Sequence, residues 1–148
     1  MISTRPATLA DLDSIAPLFD AYRQFYERAP DLALARQFLH ARLQNHESAI
    51  LLALKDAQVV GFCQLYPTFC SVEAKPIYVL YDLFVVPQVR RSGAGRALLL
   101  AAADLAVRNG KVRLDLATAR TNRSAQSVYE SLGWTRDELF YTYNKHVQ

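Results

Sequence analysis

Between Asp82 and Leu100 the chain writes out a strand, a glycine corner and the start of a helix. Asp82-Leu83-Phe84-Val85-Val86-Pro87 is an apolar, β-branched run closed by a proline. Gln88 to Arg96 follows as a short basic turn with glycines at 93 and 95, and Ala97-Leu98-Leu99-Leu100 is a strong helix former. Glycines at such a corner let a ligand approach the backbone closely, and the free N–H groups of a first helical turn attract anions. Arg90, Arg91 and Arg96 add positive charge around the turn. The backbone of Arg91, Ser92, Gly93, Ala94, Gly95 and Arg96 therefore reads as a phosphate cradle.

The missing residues narrow the kind of cradle. A P-loop needs Gly-Lys-Ser/Thr after its glycines, and none occurs here; a dinucleotide fingerprint needs a third glycine where this chain has Leu98. The pattern that fits is Arg-x-x-Gly-x-Gly at Arg90, Gly93 and Gly95, after Val85-Val86-Pro87. It resembles the acetyl-coenzyme A loop of the GNAT superfamily of N-acetyltransferases. A second landmark lies downstream. Asn122 is a good N-cap, and Gly133 stands where a left-handed residue ends a helix, with Trp134 beyond it. GNAT proteins similarly carry Asn-x-x-Ala-x-x-x-Tyr-x-x-x-Gly-Phe, which Asn122, Ala125, Tyr129 and Gly133 match, with Trp134 in place of phenylalanine.

At 148 residues the chain suits one domain with a proper core, and 51% hydrophobic residues is ordinary for a globular protein. No apolar run is long enough for a membrane span, and Met1 to Pro6 has no signal-peptide organisation, so a cytoplasmic protein is expected. Cys63 and Cys70 are expected as reduced thiols. A net charge of +3, clustered after Arg90, favours a small polyanionic cofactor over nucleic acid. His40, His46 and His146 lack metal-ligand spacing, and no Gly-x-Ser-x-Gly occurs, so neither a metal centre nor a serine hydrolase is expected.

The periodicity predicts an edge strand over Ile2–Arg5 and a helix capped by Thr8, with Asp11 three residues on. A second helix is predicted over about Asp31–Gln44 with Leu34, Phe38, Leu39 and Leu43 on one side. Strands follow over Ser48–Leu54 and Val59–Tyr66, joined by a hairpin turn at residues 55–58, and another over Ile77–Val86 after a connection from Pro67 to Pro76. The helix after the glycines ends at Asn109-Gly110. A strand over Lys111–Ala117, a helix over Ser124–Leu132 and a closing strand over Leu139–His146 complete the list, with a further strand expected around Thr135–Glu138. The order βααβββαβαβ is that of the GNAT fold, which implies an α/β domain over residues 1–148 with a mixed, mostly antiparallel sheet flanked by helices.

The resemblance implies acetyl-CoA as cosubstrate. It places the backbone of Phe84 and Val85 against the pantetheine, and Asn122 and Ala125 near the cofactor, although Asn122 can equally serve only as a cap. It also implies a splay between the strand after Asp82 and the strand after Lys111. A phenol titrates near 10 and a thiol near 8.5, so a tyrosine can protonate a departing thiolate. Tyr129 matches the family's position for that general acid. An acceptor amine must lose a proton before it attacks. Asp82 could take it directly or through water, with Glu73 as second candidate; a water chain is a further alternative.

Tyr26, Glu27, Tyr66 and Glu73 are candidate acceptor-binding residues, in a region that also holds Tyr22, Phe25, Asp31, Phe69, Tyr78 and Tyr81. Aromatic walls with a few carboxylates suit a cationic amine. The expected acceptor is thus a small amine such as a polyamine, amino acid or amine-bearing drug, with a protein lysine or N-terminus as runner-up. A catalytically silent acyl-CoA-binding module is the non-enzymatic alternative. Oligomeric state stays open, a homodimer among the choices.

Overall fold

A computed structural model describes residues 1–148. The chain forms two compact units, Met1–Leu116 and Ala117–Gln148. The first contains β1 (Ile2–Pro6), α1 (Leu12–Phe25), α2 (Leu32–Gln44), β2 (Ala49–Lys55), β3 (Gln58–Cys70), β4 (Lys75–Val85), α3 (Ala94–Arg108) and β5 (Leu114–Asp115). The second contains α4 (Arg123–Ser131). The five strands lie in chain order across one sheet; three neighbouring pairs are antiparallel, and β4 with β5 is parallel.

Local chemistry sets most element ends. The Asp11 carboxylate accepts from the Thr8 N–H (2.9 Å) ahead of α1, as the capping pattern predicts. Asp31 caps α2 by accepting from the Leu34 N–H at 3.0 Å. The β2–β3 hairpin turns on Asp56 and Ala57, both with positive φ, the twist that two-residue hairpin loops favour.

The sheet is covered on both faces. Leu12, Ile15 and Phe19 of α1 and Ala35 and Leu39 of α2 pack on Ile50, Leu52, Phe62 and Phe84. On the opposite face α3 buries Leu98, Leu99, Ala102 and Ala106. Asp20, almost wholly buried in α1, accepts from the Asp31 N–H at 2.9 Å and so ties the two helices at the start of α2.

Four expectations need correction, the fourth being the strand over Lys111–Ala117, which shrinks to β5. The buried stripe of α2 is Ala35 and Leu39; Leu34 and Phe38 sit on its flanks, where Phe38 stacks on Phe19 at 5.5 Å. Residues 67–76 are mostly strand: Pro67 pairs with Tyr78 and Phe69 with Pro76, and only residues 71–74 turn. Backbone pairing with β4 outweighs the two prolines there. The expected strands around Thr135–Glu138 and Leu139–His146 do not form. Asp137 takes the Leu139 and Phe140 amides onto its Oδ1 at 2.8 and 3.3 Å, so a local side chain holds the donors that a ladder would need.

Pairing of β5 is likewise confined to Leu114 and Asp115, opposite Tyr78 and Val79. Beyond Val79, β4 runs on to Val85 with no strand on that side. A β-bulge explains the divergence. Leu65 pairs with Leu80 and Gln64 with Asp82, which leaves Tyr81 as the extra residue of β4. Such a residue bends its strand and sharpens the local twist.

One glycine in the sheet is required by close approach. A Cβ on Gly61 would lie 2.9 Å from the Phe84 carbonyl oxygen and 3.2 Å from a Val85 methyl. Gly61→Ala should therefore push β3 away from β4 and destabilise the protein by about 1–3 kcal/mol, as overpacking does. Urea unfolding checks this; a midpoint equal to that of the unsubstituted protein would show that the strands part freely.

Candidate active site

The cradle begins where β4 ends. One short 3-10 turn, Pro87–Val89, leads into Arg91, whose φ is +67°. Gly93 follows at φ +90° as the residue before α3, a left-handed position that favours glycine. The Ala97 N–H donates to the Gly93 carbonyl at 2.9 Å. The preceding amides of Ala94, Gly95 and Arg96 belong to the first helical turn and have no intrahelical acceptor. A Cβ on Gly93 or Gly95 would meet no atom within 4 Å, so the backbone there faces open space. Free amides, a helix dipole and missing side chains on one side fit a pyrophosphate.

The arginines divide in role. Arg90 Nε donates to the Val85 carbonyl at 3.0 Å, and its guanidinium lies 5.6 Å from the centre of the Phe84 ring. It braces the strand-to-loop junction, whereas Arg91, Ser92 and Arg96 are exposed around the cradle. The ladder also decides which backbone groups face outward. The Val86 N–H donates to the Val60 carbonyl at 2.9 Å, so two residues on, Phe84 turns its backbone groups to Phe62 of β3. Leu83 and Val85 turn theirs to the side where β4 has no partner. Of the two expected pantetheine contacts, Val85 therefore presents its backbone and Phe84 does not.

Asp82 follows the bulge. The extra residue puts consecutive side chains, Tyr81 and Asp82, beside Tyr66 and Gln64: the Tyr66 and Tyr81 rings are 5.7 Å apart, and Gln64 Nε2 donates to Asp82 Oδ2. Asp82 is 3% exposed, so the carboxylate sits in the sheet's interior and not at a solvated edge. Burial raises its pKa above the ordinary carboxylate value, against hydrogen bonds from Gln64 and Tyr22 that lower it. Tyr22 comes from α1, where its hydroxyl also donates to the Tyr81 carbonyl at 3.1 Å. Burial first, then the Asp82 charge, pushes the Tyr22 phenol up and raises Tyr66 to about 12. Cys63 is raised to about 12, mainly by burial, which makes it a packed, inert thiol.

The other expected acceptor residues are more dispersed. Tyr26 is exposed and meets Tyr22 edge-on at 5.1 Å. Glu27 lies just past α1 at φ +66° and is exposed. Glu73 is in the β3–β4 turn, its carboxylate taken by Arg113 at 2.9 Å. Unit 1 thus gathers Asp82, Tyr66, Tyr22 and Tyr81 in one place, with Tyr26 at the margin. The sequence reading did not single out Ser48 or Gln64 as site residues. Only strand pairing connects them to Asp82.

In the second unit, Asn122 Oδ1 accepts from the Ala125 N–H at 3.3 Å, which makes Asn122 the cap of α4. Tyr129 is half-buried two residues from the end of α4, its ring centre 6.1 Å from that of Trp134. Gly133 takes φ +90°, and the Trp134 N–H donates to the Tyr129 carbonyl at 3.0 Å. That closes the helix as the glycine–aromatic ending predicts. No cluster of three or more His, Cys, Asp or Glu is placed to hold a metal ion. No helix is long and apolar enough to cross a membrane.

Residues 13–134 match the Acetyltransferase (GNAT) family. Over 146 residues the chain is 51% identical to YhfO of Bacillus subtilis (strain 168), an uncharacterized N-acetyltransferase, covering 99% of this chain and 98% of that one. A crystal structure of a probable acetyltransferase superposes with a TM-score of 0.90 at 39% identity, over 100% and 98% of the two chains. An L-ornithine N5-acetyltransferase of Arabidopsis thaliana is 35% identical over 80 residues, 54% of this chain and 35% of that protein.

Proposed function

The chain belongs to the acetyltransferase (GNAT) family and is an N-acetyltransferase; we propose that it moves an acetyl group from acetyl-CoA directly to the primary amine of a small cationic molecule. GNAT enzymes use acetyl-CoA as cosubstrate and act on small-molecule or protein amines. The observation that carries the finer reading is the buried carboxylate of Asp82 ringed by Tyr22, Tyr66 and Tyr81, on the strand that ends at the open cradle. Aromatic faces and a carboxylate attract an ammonium group. The Arabidopsis relative named for L-ornithine is in keeping with such an acceptor.

Acetyl-CoA supplies the activated acyl group. The amides of Ala94, Gly95 and Arg96 hold its phosphates, with Arg91 and Arg96 adding charge at the rim, and the outward backbone of Leu83 and Val85 receives the pantetheine. A strand-like ligand at Val85 competes with Arg90 for the Val85 carbonyl. Asp82 accepts the proton of the acceptor ammonium. At 3% exposure it does so through one water. Its raised pKa narrows the gap to an alkylammonium near 10, each unit being worth about 1.4 kcal/mol. Tyr129 donates its phenolic proton to the departing thiolate, a role it takes from the Asn-x-x-Ala-x-x-x-Tyr-x-x-x-Gly pattern. We read the two units as one catalytic domain in the cytoplasm.

Asp82→Asn tests the base. The rate constant kcat/KM should rise with pH towards an alkaline plateau, and the variant should lose most activity near neutrality and least at high pH, where free amine is abundant. An equal loss at every pH would make Asp82 structural. The sign for stability is opposite. A carboxyl raised in the folded state binds its proton more tightly there, so native stability falls as pH climbs from the ordinary value through the raised one. Asp82→Asn escapes that penalty and should melt higher than the unsubstituted protein at neutral pH, the difference vanishing below about pH 4. In the same assay cationic small amines should outcompete lysine peptides; a preference for the peptide would reassign the acceptor.

A further inference from the structure

Gln64 is fully buried and directly opposite Asp82 in the β3–β4 ladder. Its Nε2 donates to Asp82 Oδ2, and its Oε1 accepts from the Ser48 hydroxyl at 2.7 Å. Ser48 lies just before β2, so the chain Ser48–Gln64–Asp82 runs across three neighbouring strands' worth of sheet. We infer that Gln64, polarised and oriented by Ser48, is a positioning residue that holds Asp82 as an aimed carboxylate and sets the pH at which it accepts a proton. The inference rests on Asp82 acting as the base.

A side-chain amide is two-faced. Turned with Nε2 towards Asp82, it favours the carboxylate; turned with Oε1 towards it, only a protonated carboxyl can answer. The Ser48 hydroxyl donates to Oε1 in the first arrangement, which satisfies a buried acceptor and strengthens the N–H on the far side of the same amide. The bond so strengthened ends on a charge, where polarisation matters most.

No positively charged group in the surroundings takes that role. Tyr22 of α1, Cys63 and Tyr66 of β3 and Tyr81 of β4 are the titratable groups around Asp82, and all are phenols or a thiol. Arg42 of α2 acts on Tyr66, and no arginine or lysine is among the groups that shift Asp82. Burial opposes the charge, and Gln64 is the largest influence that favours it. A carboxylate in this position without its amide would protonate at a higher pH. Tyr22 has one hydroxyl proton to share between Asp82 and the Tyr81 carbonyl, so it supports the carboxylate less firmly than Gln64 does.

The experiment follows the Asp82 carboxyl itself by carbon-13 NMR titration of the intact protein, its signal assigned by disappearance in Asp82→Asn. Gln64→Met keeps the side-chain length and removes both hydrogen bonds; Ser48→Ala removes only the distal one. Gln64→Met should move the titration upward by roughly one unit, and the acid limb of kcat/KM with it. Ser48→Ala should move both in the same direction by less, with acetyl-CoA affinity unchanged in either variant. An Asp82 titration unaltered in Gln64→Met overturns the inference, and if that variant fails to fold, an unaltered titration in Ser48→Ala does so. A titration that moves while the rate profile stays fixed upholds the role of Gln64 in holding the carboxylate and refutes Asp82 as the base.

Discussion

Gly95→Leu is expected to abolish acetyl-CoA binding while leaving the protein at least as stable as before. Gly95 sits in the first turn of α3 with helical backbone, and a Cβ there would touch no atom within 4 Å. The substitution thus introduces no internal clash, and leucine is the better helix former. The new side chain occupies the space into which the free amides point. A ligand at a hundredfold excess over its Kd stabilises a native protein by about 2.7 kcal/mol, roughly 8–10 °C for a domain of this size. Thermal denaturation with and without acetyl-CoA should show that shift for the unsubstituted protein and none for Gly95→Leu. The same shift in both would dismiss the cradle. Gly93 makes a poorer test, because at φ +90° any side chain also strains the backbone.

Tyr129→Phe should lower kcat by roughly 100-fold, the low end for general acid catalysis, with the Kd for acetyl-CoA little changed. Phenylalanine keeps the ring that stands beside Trp134 and deletes only the proton donor. Cofactor affinity and melting temperature then act as controls, since a packing role would move both. A kcat within a factor of about two of the unsubstituted enzyme would mean that water or another group protonates the thiolate.

The parts that could be read without coordinates are those decided within a few residues of one another. Gly93 at the entry to α3, Asn122 capping α4, Gly133 closing it, and Asp11 reaching back to Thr8 each depend on a side-chain or backbone bond no more than five residues long. The Val-x-Pro strand end and the spacing of the two motifs are equally local, so the family and the order of elements followed from them. Even the failure at Leu139–His146 has a local cause in Asp137, but that cause competes with pairing, and competition cannot be ranked from one segment.

The chemistry around Asp82 was decided otherwise. A single extra residue at Tyr81 sets which side chains share a face, and a one-residue change of register sends every later side chain to the opposite side. Nothing in the composition of Gln58–Cys70 or Lys75–Val85 announces where that residue falls. From it follow the burial of Asp82, its bond to Gln64, the link from Gln64 to Ser48, and the position of Tyr22 over the Tyr81 carbonyl. The ladder's phase likewise turned Leu83 and Val85 outward in place of Phe84, and gave Arg90 to the Val85 carbonyl. The sequence by itself named the glycine corner that opens α3, because a strand end, two glycines and a helix former lie within one short segment. The tertiary structure alone built the surroundings of Asp82, because its burial and the groups that hydrogen-bond its carboxylate, Gln64 and Tyr22, come from 18 and 60 residues away in the chain.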